Sequence, residues 1–233
     1  MGKVVLVGSQ KRDVGKTIIC IKAGIELSQG GKKVLLVDLS SGKKKMSEYL
    51  KVNEEIIYDV KDVLDTTCFF NQAVIETSTG PSLLPAPRII DKLAGIKLDS
   101  ITKLFNEAKE QYDVVIADVD SISLSYVDLN AADIVLSVNN NDFSCVKEIN
   151  SEKTIASKYN VDILCAVINR YNKKQAKRGN MMNVKEIQKM TELNIQAVIE
   201  ENSKYAAADY NFLLSNEENS FNKAIRTYVK SLI

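Results

Sequence analysis

Six short β-rich runs in this chain of 233 residues are apolar throughout, with no alternation between apolar and polar positions. Strands of this kind are covered on both faces, as they are in parallel sheets. Helical patterns lie between the runs, and strand–helix alternation predicts an α/β fold with a doubly wound, mostly parallel sheet flanked by helices. The strand runs are 3–8, 33–38, 113–118, 133–138, 162–169 and 195–200, and the helical patterns are 17–29, 98–111, 142–158, 183–192 and 220–233.

The chain is predicted to form a single domain over residues 1–233, because it contains no internal repeat, low-complexity segment or linker. Its least regular part is 40–97, which holds all three prolines. There we expect short helices followed by a strand at 82–86. Doubly wound sheets bind ligands at the carboxyl ends of their strands, so polar residues that follow the runs are the candidates for function.

Composition excludes several classes of site. The net charge of +1 gives no overall attraction to nucleic acid or membrane. The chain has no histidine, which excludes Ser-His-Asp triads, Cys-His dyads and most transition-metal sites. It has no signal-peptide pattern and no apolar run long enough to span a membrane, so a cytoplasmic location is expected. Reduced core thiols are therefore expected for all four cysteines, Cys20, Cys68, Cys145 and Cys165.

A polar loop joins the first strand run to the first helical pattern and ends in Gly15-Lys16-Thr17. The free N–H groups and the dipole of a helix that begins here attract phosphate. A lysine at this position reaches β- and γ-phosphates, and the threonine hydroxyl holds Mg²⁺. The strict phosphate-loop pattern has a glycine where this chain has Gln10, so the match is incomplete.

Two aspartates end buried strand runs close to this loop. Asp38 is the last residue of the second run and Asp118 is the last residue of the third. An acidic residue in such a place usually holds Mg²⁺ through water, although helix capping and a solvated strand end are the ordinary alternatives. Their occurrence as a pair favours a metal site.

The loop "QKRDVGKT" resembles the deviant Walker A loop of the MinD/ParA family of ATPases, with Lys11 in place of the signature lysine. Glutamine precedes that lysine in ParA-like members, so Gln10 is compatible with the family. The similarity is greatest to MinD-like members and covers nearly the whole chain. The other similar segments are "VLLVDLSSG", "IYDVKDVLDTTCFFNQAVIE", "SLLPAPRIIDK", "YDVVIADVDS", "AVINRYN" and "KRGNMMNVKEIQKMTELNIQAVIEE".

The resemblance implies a P-loop nucleotide-binding domain that uses ATP, ADP and Mg²⁺. Lys11 would reach the phosphates of a partner subunit in an ATP-bound homodimer, and Asn169 with Arg170 would recognise adenine. The implied catalytic residues are Lys11, Lys16 and Asp38, and the implied magnesium site comprises Thr17, Asp38 and Asp118. The implied nucleotide-binding residues are Lys11, Arg12, Asp13, Val14, Gly15, Lys16, Thr17, Ile18, Asn169 and Arg170.

Three departures from the family pattern concern catalysis. Arg12-Asp13 replaces the usual Gly-Gly in the loop, and Ser40 replaces the second carboxylate of the Asp-x-Asp motif that orients the attacking water. The segment after the third strand run reads "DVDSIS" instead of small residues and proline, and we interpret Asp120 there as a solvated loop residue in preference to a substitute carboxylate. We therefore hypothesise nucleotide binding with slow or absent hydrolysis.

The leading interpretation is an ATP-dependent switch that dimerises, binds an unidentified protein partner or activator, and controls cell division, partitioning or cargo placement. The alternative is a noncatalytic nucleotide-binding adaptor. A small-molecule enzyme on the same scaffold is less favoured, because the chain has no Cys-x-x-Cys pair for iron–sulfur or metal-insertion chemistry.

Two kinds of partner surface are also considered. The last helical pattern, 220–233, has the apolar spacing of a core helix and no amphipathic tail follows it, so membrane binding is not expected. The basic clusters Lys43–Lys45 and Lys173–Arg178 are interpreted as solvated faces, with DNA binding as a weaker hypothesis.

Overall fold

A computed structural model describes residues 2–87, 95–123, 127, 129–159, 161, 163–203 and 209–230. Its centre is an eight-stranded sheet in the order β3-β4-β2-β5-β1-β6-β7-β8, parallel except for the edge pair β3–β4. The fold class predicted from the sequence is thus confirmed. The strands are β1 Lys3–Gly8, β2 Val34–Leu39, β3 Ile75–Glu76, β4 Ser82–Leu84, β5 Val114–Val119, β6 Ile134–Asn139, β7 Ile163–Tyr171 and β8 Asn194–Glu200.

Ten α-helices are found in the described part of the chain, together with two short 3₁₀ turns at Asn53–Glu55 and Leu129–Ala131. The helices are α1 Lys16–Gln29, α2 Met46–Leu50, α3 Val60–Leu64, α4 Phe70–Ala73, α5 Leu98–Gln111, α6 Cys145–Ala156, α7 Lys173–Lys177, α8 Val184–Thr191, α9 Tyr210–Leu214 and α10 Ser220–Lys230.

The six predicted strands are confirmed within about two residues at each end. The predicted helix 142–158 begins later, because the Asp142 side chain accepts hydrogen bonds from the amide and hydroxyl of Ser144 and holds a turn before α6. Residue 162 of a predicted strand and residues 231–233 of the last predicted helix lie outside the described residues.

The irregular middle of the chain forms the sheet edge. The strand expected at 82–86 is confirmed but ends at Leu84, since Pro85 lacks the N–H that a continuing ladder needs. The Pro85 carbonyl instead accepts a bond of 2.9 Å from the amide of Val60 at the start of α3. The two-residue β3 was not predicted, because so short a segment carries no periodic pattern.

Apolar layers cover both faces of the sheet. The helix α10 packs against α1 and β8 and buries Phe221, Ile225 and Tyr228, which confirms its interpretation as a core helix. No described helix is both long enough and apolar enough to cross a membrane. All four cysteines are free thiols, and three are buried as expected, whereas Cys68 is only partly buried. The single-domain interpretation stays a prediction.

Candidate functional site

The loop between β1 and α1 closes on a glycine that no other residue replaces without cost. Gly15 caps α1 in the left-handed region, with φ of 90°. A Cβ atom on Gly15 would lie 2.4 Å from Nδ2 of Asn169, so a side chain would collide as well as strain the backbone. The first N–H groups of α1 therefore face the loop, which is the arrangement that binds phosphate at helix N-termini.

Lys16 and Thr17 occupy the first turn of α1 and face the carboxyl ends of the central strands. Lys16 is 9% exposed. The Thr17 hydroxyl donates a hydrogen bond of 2.5 Å to Oδ2 of Asp118, at the end of β5. This contact brings the Thr17 hydroxyl to the Asp118 carboxylate at one end of the sheet. The ammonium group of Lys16 also acts on that carboxylate.

Asp38 and Asp118 are opposite each other on the neighbouring strands β2 and β5, and both are fully buried. Burial raises the pKa of Asp118, the nearby negative charge of Asp38 raises it further, and it lies at about 7. Burial likewise raises the pKa of Asp38, against hydrogen bonds from Ser40 and from the amide of Met46 at 2.9 Å. Two buried carboxylates side by side favour a cation that neutralises them.

The residues present fit Mg²⁺. Oδ1 of Asp118 is buried and has no hydrogen-bond partner, so one oxygen is free for an ion or its water. Thr17 supplies a hydroxyl beside it. No group of three or more acidic, histidine or cysteine side chains among the described residues could hold a metal, so phosphate and water oxygens would have to complete the shell.

Ser40 offers no replacement for a second carboxylate. Its side chain is buried, and its hydroxyl donates a bond of 2.7 Å to Oδ1 of Asp38. Its amide donates to the same oxygen at 3.1 Å. The residue thus orients Asp38 and has no charge of its own to act on water.

The structure corrects the interpretation of Asp120 as a solvated loop residue. Asp120 is partly buried instead of freely solvated, because its Oδ2 accepts a bond of 3.0 Å from the amide of Ser41. It lies on the wall of a cavity of about 320 Å³ outside the loop. The other described wall residues are Arg12, Asp13, Gly15, Lys16, Thr17, Ile18, Ser40, Ser41, Gly42, Lys43, Lys44, Tyr49 and Arg170.

Lys11 is held within its own chain. Its Nζ forms an ion pair with Asp142 and donates to Oδ1 of Asn140 at 3.3 Å, and its side chain remains 34% exposed. The Lys11 ammonium group lowers the pKa of Asp142, although partial burial acts in the opposite direction. Sequence reasoning did not find Asn140 or Asp142, because an Asn-Asp pair before a helix is an ordinary turn signal.

Asn169 and Arg170 stand between two cavities. The Asn169 side chain donates a bond of 2.7 Å to the carbonyl of Val14, which ties the end of β7 to the loop. Arg170 lines the loop cavity and, with Asn169, a second cavity of about 340 Å³. The second cavity is also lined by Gly15, Ile18, Glu200, Glu201, Asn202, Ser203 and Phe221. Every residue predicted for the nucleotide site except Lys11 and Val14 lines one of these cavities, and Val14 contacts Asn169, which does.

Comparison with known proteins places this geometry in a family. The model of the CobQ/CobB/MinD/ParA nucleotide binding domain matches residues 5–214. The chain is 27% identical over 216 residues to the septum site-determining protein MinD of Bacillus subtilis, covering 89% of this chain and 80% of that protein. It is 27% identical to MinD of Thermotoga maritima, covering 85% and 75% of the two chains.

Solved structures agree. The MinC:MinD cell division protein complex of Aquifex aeolicus contains a chain with a TM-score of 0.87, 25% identity, and coverage of 99% and 95% of the two chains. MinD of Pyrococcus horikoshii complexed with Mg-ADP has the same fold, with a TM-score of 0.84 at 19% identity, and covers 100% of this chain and 96% of its own. The chain described here belongs to the MinD/ParA family of nucleotide-binding domains, whose members include cell-division site-determining and partition ATPases.

Proposed function

We propose that this protein is a MinD-like ATP-binding switch that dimerises on ATP and controls the position of a cellular component such as the division site, DNA or another cargo. The observation that carries the proposal is the convergence of Gly15, Lys16, Thr17 and the Asp38–Asp118 pair at the carboxyl ends of β1, β2 and β5. This arrangement offers N–H groups and an ammonium group to phosphate and two carboxylates to Mg²⁺.

ATP, ADP and Mg²⁺ are the proposed ligands. A MinD with the same fold was solved with Mg-ADP, and the cavity beside Asn169 and Arg170 adjoins the loop where a base would follow its phosphates. One amide hydrogen of Asn169 is already bonded to the carbonyl of Val14. Its carbonyl oxygen and second amide hydrogen are therefore the groups proposed to contact adenine.

Dimerisation requires Lys11 to change partners. An ion pair at a partly exposed position is worth about 1 kcal/mol or less, so a phosphate of higher charge can compete with Asp142 for the ammonium group. A ligand that bridges two subunits stabilises their dimer by mass action. Lys11 is thus proposed to leave Asp142 and contact the nucleotide of a second copy.

A protein partner is proposed by analogy, since a MinD of Aquifex aeolicus was solved in a complex with MinC. We propose a cytoplasmic location. DNA binding stays a weaker prediction, because Lys173 on the basic helix α7 faces Glu200 and so is partly neutralised.

A noncatalytic adaptor is the second candidate, and Ser40 favours it. The Ser40 hydroxyl is buried against Asp38 and has no carboxylate with which to orient water. Such a protein would bind ATP and recruit its partner without turnover.

One experiment separates these functions. The purified chain is incubated with Mg²⁺ and ATP, free nucleotide is removed, the retained nucleotide is identified, and the mass of the complex is measured by light scattering. Retained ATP in a dimer supports a switch or adaptor with stalled chemistry, and retained ADP supports a working ATPase. Binding of neither nucleotide in an equilibrium titration would contradict the proposal.

Restoring a carboxylate at position 40 should speed hydrolysis. We expect Ser40→Asp to raise the single-turnover rate by about tenfold or more, because a positioned carboxylate that orients water contributes at least that factor. The rate of ADP formation on pre-bound ATP measures it. Asp120→Asn is the matched variant: a loss of the residual wild-type rate in this variant would show that Asp120 already fills the role, and Ser40→Asp would then add little.

A further inference from the structure

Glu152 is a buried acid with no part in the function proposed above. It lies on α6 and is 0% exposed. Neither oxygen of its carboxyl group completes a hydrogen bond of regular geometry. A buried glutamate left in this state costs stability unless it is neutral or paired, so its position requires an explanation.

The surroundings of Glu152 connect it to the phosphate loop. Its carboxyl group faces the Ser137 hydroxyl on β6 and the backbone amide of Gln10, within the loop. Nδ2 of Asn139 donates to Oγ of Ser137 at 2.6 Å, which leaves the hydroxyl hydrogen of Ser137 free for the carboxyl group. Glu152 thus supports the loop from behind at the position where the strict phosphate-loop pattern has a glycine.

Two charged groups act on this carboxyl group. Lys16 attracts its ionised form from the first turn of α1, and Glu148 repels it from the same helix α6. The strand β6 presents the neutral Ser137 and Asn139. Burial is the largest effect and raises the pKa of Glu152 to about 7.

Lys16 therefore interacts with two negative groups, the proposed phosphate and the Glu152 carboxylate. It faces the loop where phosphate is proposed to bind, and it also stabilises the charge of Glu152 behind that loop. A nucleotide brings several negative charges to the same lysine, and repulsion between like charges in a poorly solvated site disfavours the ionised acid.

We propose that Glu152 is a positioning residue of the phosphate loop that holds Gln10 and takes up one proton from solvent when nucleotide phosphate binds. The proposal rests on the proposed nucleotide binding. It predicts that protonation and phosphate binding favour each other, because each removes the repulsion that opposes the other.

The sign of the pH effect follows from linkage. If binding raises the pKa of Glu152, the complex holds more protons than the free protein, so nucleotide affinity falls as pH rises above the pKa of the free protein. Affinity is constant below that value. Asp118 also titrates near neutral pH, so the effect must be measured as a difference between wild type and a Glu152 variant.

The test is the dissociation constant of ADP between pH 6 and pH 9, by fluorescence titration. We expect wild-type affinity to fall about tenfold more over this range than that of Glu152→Gln, which is neutral and keeps the size of the side chain. Calorimetry near pH 7.5 in two buffers of different ionisation enthalpy should show about half a proton less taken up by the variant, because a tenfold effect corresponds to a rise of about one pH unit in the pKa of Glu152 on binding. Glu107→Gln, an exposed carboxylate on α5, is the control and should match the wild type.

Ser137→Ala is a second variant in case Glu152→Gln folds poorly. Loss of its hydroxyl should move the pH at which affinity begins to fall upwards, because the hydroxyl stabilises the ionised acid. Identical pH profiles for wild type and Glu152→Gln, with ADP binding intact, would overturn the role of Glu152. Absence of ADP binding in wild type at every pH would instead reject the proposed function on which this role depends.

Discussion

Lys16→Ala is expected to weaken ATP binding by about 100-fold, because removal of one partner from a desolvated charge pair costs about 3 kcal/mol. Lys16 is nearly buried at the start of α1 and points towards the loop cavity. Phosphoryl groups held there would lose the ammonium group at the shortest range, while the N–H groups of α1 would remain. The residual affinity then measures what the backbone contributes alone.

Equilibrium titration with a fluorescent ATP analogue in the presence of Mg²⁺ gives both dissociation constants. Lys43→Ala is the matched control, since Lys43 lines the same cavity but is exposed to solvent. Its loss should weaken binding less than about threefold, as expected for a solvent-screened charge. Equal effects of the two substitutions would mean that phosphate does not occupy the loop, and the nucleotide site would have to be sought elsewhere.

The parts of the fold that the sequence predicts are those with a strong local cause. The strands β1, β2 and β5 are continuous apolar runs, as expected for strands of a sheet covered on both faces. The end of α1 is equally local, because Gly30 and Gly31 stop the helical pattern, and Gly31 has a positive φ of 84°. The edge strand β3 has no such cause, since only pairing with β4 makes its two residues a strand.

The candidate site likewise has residues that the sequence predicts and contacts that it does not. Lys16, Thr17, Asp38 and Asp118 were predictable, because helix starts and strand ends at one edge of a parallel sheet must meet. Contacts between distant segments were not. The pairing of Lys11 with Asp142 spans 131 positions of the chain, and the bond between Asp120 and the amide of Ser41 spans 79. Nothing in either local sequence specifies its partner.

Glu152, the acid behind the loop, was not predictable either, because its surroundings come from distant segments of the chain. In the sequence, Glu152 reads as one polar residue on the surface of a helix, with no neighbour that suggests burial. The packing of α6 against β6 turns it inward and brings it to Gln10. Tertiary packing alone therefore converts an ordinary charge into a group that can affect the loop.

The largest loss of stability is expected from substitution of Lys22, a lysine on α1 that lies outside the candidate site. Lys22 is fully buried, and its Nζ donates to the carbonyls of Leu213 at 3.0 Å and Ser215 at 2.8 Å. It also pairs with Glu26 at 3.1 Å. One ammonium group thus ties α1 to the end of α9 and to the residue that follows it. Burial lowers the pKa of Lys22 because the charged form is poorly solvated there.

Lys22→Met should lower the free energy of unfolding by about 3 kcal/mol, because the Leu213 carbonyl loses its donor, the Ser215 carbonyl keeps only Asn222, and Glu26 keeps only the partly exposed Arg226. Chemical denaturation followed by circular dichroism measures the change. Lys153→Met is the control, because Lys153 on α6 also donates to a carbonyl and pairs with a glutamate, Glu192, but does so at the surface. Its loss should cost less than about 1 kcal/mol. Equal costs would mean that the buried ammonium group is merely accommodated, and that α1 is held to α9 and α10 by apolar packing and the ion pair between Glu26 and Arg226.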